Sequence, residues 1–169
     1  VAYVRIPAFI ATLAALSAFR GVAFGFNNGS PVFSIHPDLE SIFYGTFLGA
    51  PLPLYYVIFL YGLSFMVLRY TAFGRSIYAV GGNPRAAELS GLNVKKIQMY
   101  CFVIAGIAAA LGAVLMAARL NSGSPNYGVG LELAAIAAAV VGGASLTGGR
   151  GNIINTALGA MTIVIVQNG

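Results

Sequence analysis

The chain has 169 residues, of which 59% are hydrophobic and 8% are charged. Soluble domains carry roughly 25% charged residues, so this composition excludes an ordinary water-soluble fold and indicates a membrane protein. The net charge of +5 does not indicate a nucleic-acid partner, because the basic residues lie at the ends of apolar runs and form no stripe with aromatic residues. One cysteine and one histidine, Cys101 and His36, complete neither a metal site nor a nucleophile-base pair. We therefore expect no metal site and no catalytic residues.

Long apolar runs recur along the chain, and a membrane helix needs about 20 mainly apolar residues. They predict an all-α fold, a polytopic helical membrane protein with about four or five membrane segments in a single transmembrane domain. The predicted segments are residues 6–26, 47–68, 97–118, 131–148 and 152–167. The fourth has a length at which a complete span and a re-entrant half-helix are both possible, and we favour the complete span. Because the apolar runs begin and end almost at the chain ends, we expect a fragment of a longer protein.

The connections between these segments differ in charge. Residues 69–96 contain five basic residues against one acid, Glu88, whereas residues 27–46 contain two acids and no basic residue. Loops rich in lysine and arginine remain on the cytoplasmic side of a membrane. We therefore predict that the loop 69–96 is cytoplasmic, and that residues 27–46 and 121–130 lie outside.

The cytoplasmic loop specifies a short helix with both ends marked. Asn83 can cap its first turn, Pro84 suits the first helical position, and Gly91 suits the left-handed residue that ends a helix. A helix of about seven residues is not stable alone in water, so it must pack against neighbouring structure or a partner. A structured connector would carry the same caps. We favour docking, because loops this long without a function are uncommon.

Polar residues beside glycine and proline are the candidates for a solute path. Two such segments follow apolar runs on the predicted outer side, and a third lies in the glycine-rich segment after residue 140. Turn chemistry explains the same residue types, so both readings remain open. The candidate residues are Asn28, Ser30, Asn121, Ser124, Ser145 and Thr147.

Three stretches have distinctive sequences. They read RYTAFGR at 69–75, AVGGNP and AAELSG between 79 and 91, and AIAA followed by GGASLTGG between 135 and 149. With these stretches, essentially the whole chain resembles the membrane permease subunits of ABC importers for monosaccharides, the ribose, xylose and arabinose type. The resemblance implies that the chain forms part of a permease domain that imports a small sugar with the energy of ATP hydrolysis.

The resemblance also implies that the loop 69–96 holds a coupling helix, which lies in a cleft on a separate ATPase subunit. Ala86, Ala87 and Gly91 match the spacing of the importer motif Glu-Ala-Ala-x-x-x-Gly, whereas Arg85 replaces its glutamate and the downstream Ile-x-Leu-Pro element is missing. The residues expected to couple the chain to the ATPase are Gly82, Asn83, Pro84, Arg85, Ala86, Ala87, Glu88 and Gly91.

The chain contains no Gly-x-x-x-x-Gly-Lys-Ser/Thr phosphate loop, so we expect no cofactor in it and expect a partner subunit to bind ATP and Mg. The resemblance implies four partners: an ABC ATPase subunit, a periplasmic or lipid-anchored sugar-binding protein, a second permease copy in a dimer, and membrane lipid. It implies a multi-pass protein of the prokaryotic plasma (inner) membrane. The main alternative is a passive or ion-coupled carrier of small polar solutes, although the predicted spans contain no paired acids. An intramembrane enzyme ranks third.

Overall fold

A computed structural model describes residues 8–33 and 37–169. The described residues form helices joined by turns and by four strands of two residues each. The elements in chain order are α1 (Ala8–Asn27), β1 (Val32–Phe33), α2 (Pro37–Tyr44), β2 (Thr46–Phe47), β3 (Ala50–Pro51), α3 (Leu52–Tyr70), α4 (Ala72–Gly82), α5 (Pro84–Leu89), α6 (Val94–Leu120), β4 (Ser122–Gly123), α7 (Leu131–Val141) and α8 (Ile153–Asn168). His36 lies outside the described residues, as do residues 6 and 7 of the first predicted span.

Two helices in the described part of the chain are long and apolar enough to cross a membrane. They are α3, with 19 residues, and α6, with 27 residues. Apolar side chains are exposed along both helices, which is typical of helices that face lipid or other membrane helices. Shorter apolar helices lie at Ile10–Phe26, α7 and α8.

The bounds of the helices differ most from those of the predicted spans at two places. The second span was predicted from residue 47, but α3 begins at Leu52, because β2 and β3 form a hairpin whose turn residues Leu48 and Gly49 have positive φ angles of 52° and 80°. The fourth was predicted over 131–148, but α7 ends at Val141. A helix of 11 residues is about 16 Å long, roughly half of the ~30 Å hydrocarbon thickness. The re-entrant alternative therefore fits α7 better than the complete span that we favoured.

The chain divides into two compact units, and the first contains the described residues of Val1–Tyr55 together with Val103–Gly128. In it β1 and β4 pair antiparallel, with Val32 opposite Gly123 and Phe33 opposite Ser122. The helix α2, which the charge pattern did not predict, is fixed by its last residue, because the Tyr44 hydroxyl donates to the Arg119 carbonyl at 3.2 Å. The described residues of the predicted outer connections therefore form helix, strand and turn.

The second unit contains Tyr56–Phe102 together with Val129–Gly169. Its helices α7 and α8 pack closely, because glycines stand where they meet. A Cβ atom at Gly159 would overlap the Ala138 carbonyl oxygen and lie 2.7 Å from the Gly142 nitrogen. A Cβ atom at Gly142 would lie 2.5 Å from the Asn155 carbonyl oxygen. The backbones of the two helices are thus in direct contact, as small residues allow in membrane proteins.

Candidate functional site: the basic loop and the paired polar loops

The predicted cytoplasmic loop is almost wholly helical, because α4 precedes the expected short helix. Thr71 begins α4, since its hydroxyl accepts the Gly74 N–H at 3.1 Å and donates to the Val67 carbonyl at 2.6 Å. Gly74 lies against the end of α3, where a Cβ atom would be 2.6 Å from the Cα of Leu68. Sequence reasoning missed α4, although Thr71 before a run of helix-compatible residues was a capping signal.

Asn83 ends α4 and begins α5. Its backbone N–H donates to the Ala79 carbonyl at 3.1 Å, which closes the last turn of α4. Its side-chain oxygen accepts the N–H groups of Arg85 and Ala86, each at 3.1 Å, and Pro84 occupies the first helical turn. The predicted cap at Asn83 is confirmed, and it satisfies two backbone donors that a helix start otherwise leaves unpaired.

The end of α5 has the hydrogen bonds of a Schellman motif. The N–H of Leu92 donates to the Ala87 carbonyl and that of Gly91 to the Glu88 carbonyl, both at 3.0 Å. Gly91 has a φ of +84°, so the predicted left-handed residue is confirmed. Asn93 then caps α6 by accepting the Lys96 N–H at 3.1 Å. Successive caps therefore leave little free backbone between α4 and α6.

One face of α5 is buried within the chain itself. Ala87 is 4% exposed and lies in a cluster with the buried side chains of Val80 from α4 and Ile97 from α6. Leu92 packs against this cluster, as the Schellman motif favours. Ala87 was expected among the residues that meet an ATPase subunit, but its side chain is occupied by contacts inside the loop.

The opposite face of α5 is exposed and carries one large apolar residue. Leu89 is 85% exposed, and Arg85, Ala86 and Glu88 are exposed beside it. A groove of about 360 Å³ lies at the C-terminal end of α5 and is lined by residues between Glu88 and Lys95. The loop therefore presents a short helix whose backbone is fixed by caps and whose outer face offers a leucine between charges of both signs.

The end of α4 is joined to the turn that precedes α8. Gly81 lies against Gly149, and a Cβ atom at Gly149 would be 2.5 Å from the Cα of Gly82. The Tyr78 hydroxyl also donates to the Gly151 carbonyl at 3.1 Å. Sequence reasoning missed these contacts, because nothing in the glycine pairs themselves indicates which of them meet.

The glycine-rich segment after α7 is an ordered turn. Gly143 has a φ of +82°, and Ala144 N–H donates to the Ala139 carbonyl at 2.9 Å, so α7 also ends in a Schellman motif. The hydroxyl oxygens of Ser145 and Thr147 lie 2.7 Å apart. Both residues are in a turn that is closed by a hydrogen bond from the Ser145 N–H to the Arg150 carbonyl at 3.0 Å. These two candidates for the solute path are thus neighbours on irregular backbone.

The other four candidates lie on two loops that the structure brings together. Asn28 and Ser30 lie in the connection between α1 and β1, and Asn121 and Ser124 flank β4, which pairs with β1. Asn28 and Asn121 both have positive φ angles, 48° and 42°, so turn chemistry accounts for part of their pattern. The side-chain oxygen of Asn121 is buried without a hydrogen-bond partner among the described residues. A buried acceptor of this kind is costly unless a donor reaches it.

Comparison with protein families decides the class of the chain. The model of the family described as branched-chain amino acid transport system / permease component matches residues 1–169. The chain belongs to this permease family. Its members are polytopic helical membrane proteins, so the predicted fold class is confirmed. No solved structure matches the chain.

The matching relatives include sugar permeases. The chain is 43% identical over 169 residues to the ribose import permease protein RbsC of Escherichia coli strain K12, covering 98% of this chain and 53% of that protein. It is 37% identical to the RbsC protein of Bacillus subtilis strain 168, over 98% of this chain and 52% of that protein. It is 38% identical to the L-arabinose ABC transporter permease protein AraH of Azospirillum brasilense, over 97% of this chain and 48% of that protein. The resemblance to monosaccharide permeases is confirmed, and the chain spans about half the length of the curated relatives it matches.

Proposed function

We propose that the chain is part of the membrane subunit of an ATP-driven importer for a small sugar. The relatives named for ribose and L-arabinose support the substrate class, and the permease family supports the transport role. In this function the chain contributes part of the translocation path, while a separate ATPase subunit binds ATP with Mg. A sugar-binding protein delivers the sugar, and a second permease copy completes the membrane assembly in the inner membrane of a prokaryote.

The observation that carries the proposal is the outward face of α5. A short helix with Ala87 buried inside the loop and Leu89 at 85% exposure is held rigidly and yet presents an apolar side chain. Apolar residues surrounded by charges are typical of the centre of a protein interface. We assign this face, with Arg85, Ala86, Glu88 and Leu89, to the cleft of the ATPase subunit on the cytoplasmic side.

The paired outer loops support a role in receiving the sugar. Asn28, Ser30, Asn121 and Ser124 are gathered by the pairing of β1 with β4, and amide and hydroxyl groups suit an uncharged polar ligand. The side-chain oxygen of Asn121, which is buried and has no hydrogen-bond partner among the described residues, provides an acceptor for a donor from the remainder of the permease. Ser145 and Thr147 provide further polar groups in the turn after α7.

The docking assignment is tested by Leu89→Asp in the full-length permease, expressed with its ATPase subunit. An aspartate at this position would have to be buried without a partner, which is costly, so we expect the ATPase to be lost during purification. Retained ATPase per permease, quantified after affinity purification, is the measurement.

The matched control is Leu146→Asp, since Leu146 is 79% exposed but lies in the turn after α7. We expect this variant to retain the ATPase at the level of the unaltered permease. Full retention of the ATPase by Leu89→Asp, with normal membrane insertion, would contradict the assignment of the outer face of α5.

A further inference from the structure

The contact of Gly81 and Gly82, at the end of α4, with Gly149 in the turn before α8 is made by backbone alone. A Cβ atom at Gly81 would overlap the backbone nitrogen of Gly149 and lie 3.0 Å from its Cα. In the other direction, a Cβ atom at Gly149 would lie 2.5 Å from both the nitrogen and the Cα of Gly82. Neither Gly81 nor Gly149 has room for a methyl group, so the backbones of the two segments are in direct contact.

The turn that receives this contact is itself rigid. Besides the bond from Ser145 to the Arg150 carbonyl, the Gly148 N–H donates to the Ser145 carbonyl at 3.1 Å. Asn152 then caps α8 by accepting the Ile154 N–H at 3.0 Å. The Tyr78 hydroxyl holds the carbonyl of Gly151, the residue directly before this cap. The end of α4 is therefore fixed to the start of α8 at two neighbouring points.

The contacts of α4 also extend to α5, the helix proposed to dock on the ATPase subunit. The Asn83 N–H closes α4 at Ala79, and the Asn83 side chain begins α5. Val80, the residue before Gly81, packs in the same cluster as Ala87. A continuous series of close contacts thus leads from α5 through α4 to the turn before α8, and from there to α7 through Gly159 and Gly142.

We propose that the contact of Gly81 with Gly149 is a junction that makes α5 and the α7–α8 hairpin move as one body. A displacement of α5 would then reach the hairpin without being absorbed by a flexible linker, because packed backbones have low compressibility and transmit strain. The junction rests on the proposed docking of α5 to an ATPase subunit, and it assigns to Gly81, Gly149 and Tyr78 a positioning role. The moving element on the membrane side is the hairpin that contains Ser145 and Thr147.

The test is Gly149→Ala in the full-length permease assembled with its ATPase and sugar-binding protein. The added methyl group forces the turn away from α4, while the outer face of α5 is unchanged. We expect the ATPase to be retained and ATP hydrolysis to continue, whereas sugar imported per ATP hydrolysed falls by roughly 2- to 30-fold, the range for changes along such contact chains. If Gly149 had only a structural role, the substitution would lower ATPase retention, ATP hydrolysis and sugar import per ATP together.

Gly143→Ala is the matched control, because Gly143 has a φ of +82°, close to the +75° of Gly149, but has nothing within 4 Å of an added Cβ atom. It carries the same backbone strain without the overlap, and we expect import per ATP to stay at the unaltered level. Equal import per ATP in Gly149→Ala and Gly143→Ala would overturn the junction.

Tyr78→Phe keeps the proposal testable if Gly149→Ala does not assemble, since it removes only the hydroxyl bonded to Gly151. We expect it to lower import per ATP by about twofold. Unchanged import per ATP in Tyr78→Phe would overturn the junction while leaving the docking of α5 intact. The docking proposal is tested separately, because retention of the ATPase by the Leu89→Asp permease would contradict the docking of α5 and not the junction.

Discussion

Asn83 joins two helices through three different groups, its N–H, its side-chain oxygen and its carbonyl. The carbonyl accepts the Ala87 N–H at 3.0 Å, in addition to the bonds made by the other two groups. We expect Asn83→Ala to leave the N–H groups of Arg85 and Ala86 without a partner, at a cost of about 1 kcal/mol. Hydrogen exchange of these two amides in the full-length permease should then be about fivefold faster.

Asn83→Asp is the control for this prediction, because aspartate caps a helix as well as asparagine does. We expect its amide exchange at Arg85 and Ala86 to match that of the unaltered protein. Unchanged exchange in Asn83→Ala would show that the side-chain cap does not hold the start of α5.

Ala86 and Ala87 are adjacent and chemically identical, yet Ala86 is exposed and Ala87 is buried. Ala87→Leu adds volume to the cluster with Val80 and Ile97, and we expect it to lower the stability of the permease by about 1–3 kcal/mol. Ala86→Leu adds the same volume at an exposed position and should change stability by no more than about 0.5 kcal/mol. Thermal unfolding of both variants in detergent measures the difference, and equal melting temperatures would contradict the burial of Ala87.

At the scale of elements, the α7–α8 hairpin depends on Gly159. We expect Gly159→Ala to separate the two helices, because the methyl group would overlap the Ala138 carbonyl oxygen. Opening the contact should lower the melting temperature of the full-length permease. Gly62→Ala in α3 is the comparison, since nothing lies within 4 Å of a Cβ atom there in the described structure. A melting temperature lowered equally by both variants would show that the hairpin contact is not specific.

The helix α5 was predictable from the sequence because its determinants are local. The Asn83 cap, Pro84 in the first turn and Gly91 at the end all act within a few residues, and the structure shows each of them in its expected role. Which face of α5 is buried was not predictable from the sequence. Whether Ala86 or Ala87 points inward depends on where Val80 and Ile97 lie, and their positions are set by α4 and α6.

The rest of the site depends on contacts between distant residues. Nothing in the sequence indicated that Gly81 meets Gly149 or that Gly142 meets α8. In the same way, the polar segments at Asn28 and Asn121 were recognised separately, whereas the pairing of β1 with β4 that brings them together is non-local. The extent of α7 was overestimated because the apolar run continues past the glycines that end the helix.

At the scale of the whole molecule, the orientation in the membrane remains a prediction from charge. The loop 69–96, with five basic residues, should lie inside, and the loop 27–46, with none, should lie outside. Cysteines introduced separately at Ser90 and Thr46, both exposed, in a Cys101→Ala background should react with an impermeant reagent from opposite sides of the membrane. Reaction of both cysteines from the outside would contradict the orientation.

ATP-driven sugar uptake by the complete importer tests the central proposal most directly. The measurement is uptake of labelled ribose, xylose or arabinose into proteoliposomes that contain the full-length permease with its ATPase, with the sugar-binding protein on the opposite side from ATP. We predict uptake of one of these sugars only when ATP is present on the side of the α5 loop and the ATPase subunit has been included. Equal uptake without ATP or without the ATPase would contradict the proposal and identify a carrier that does not use ATP.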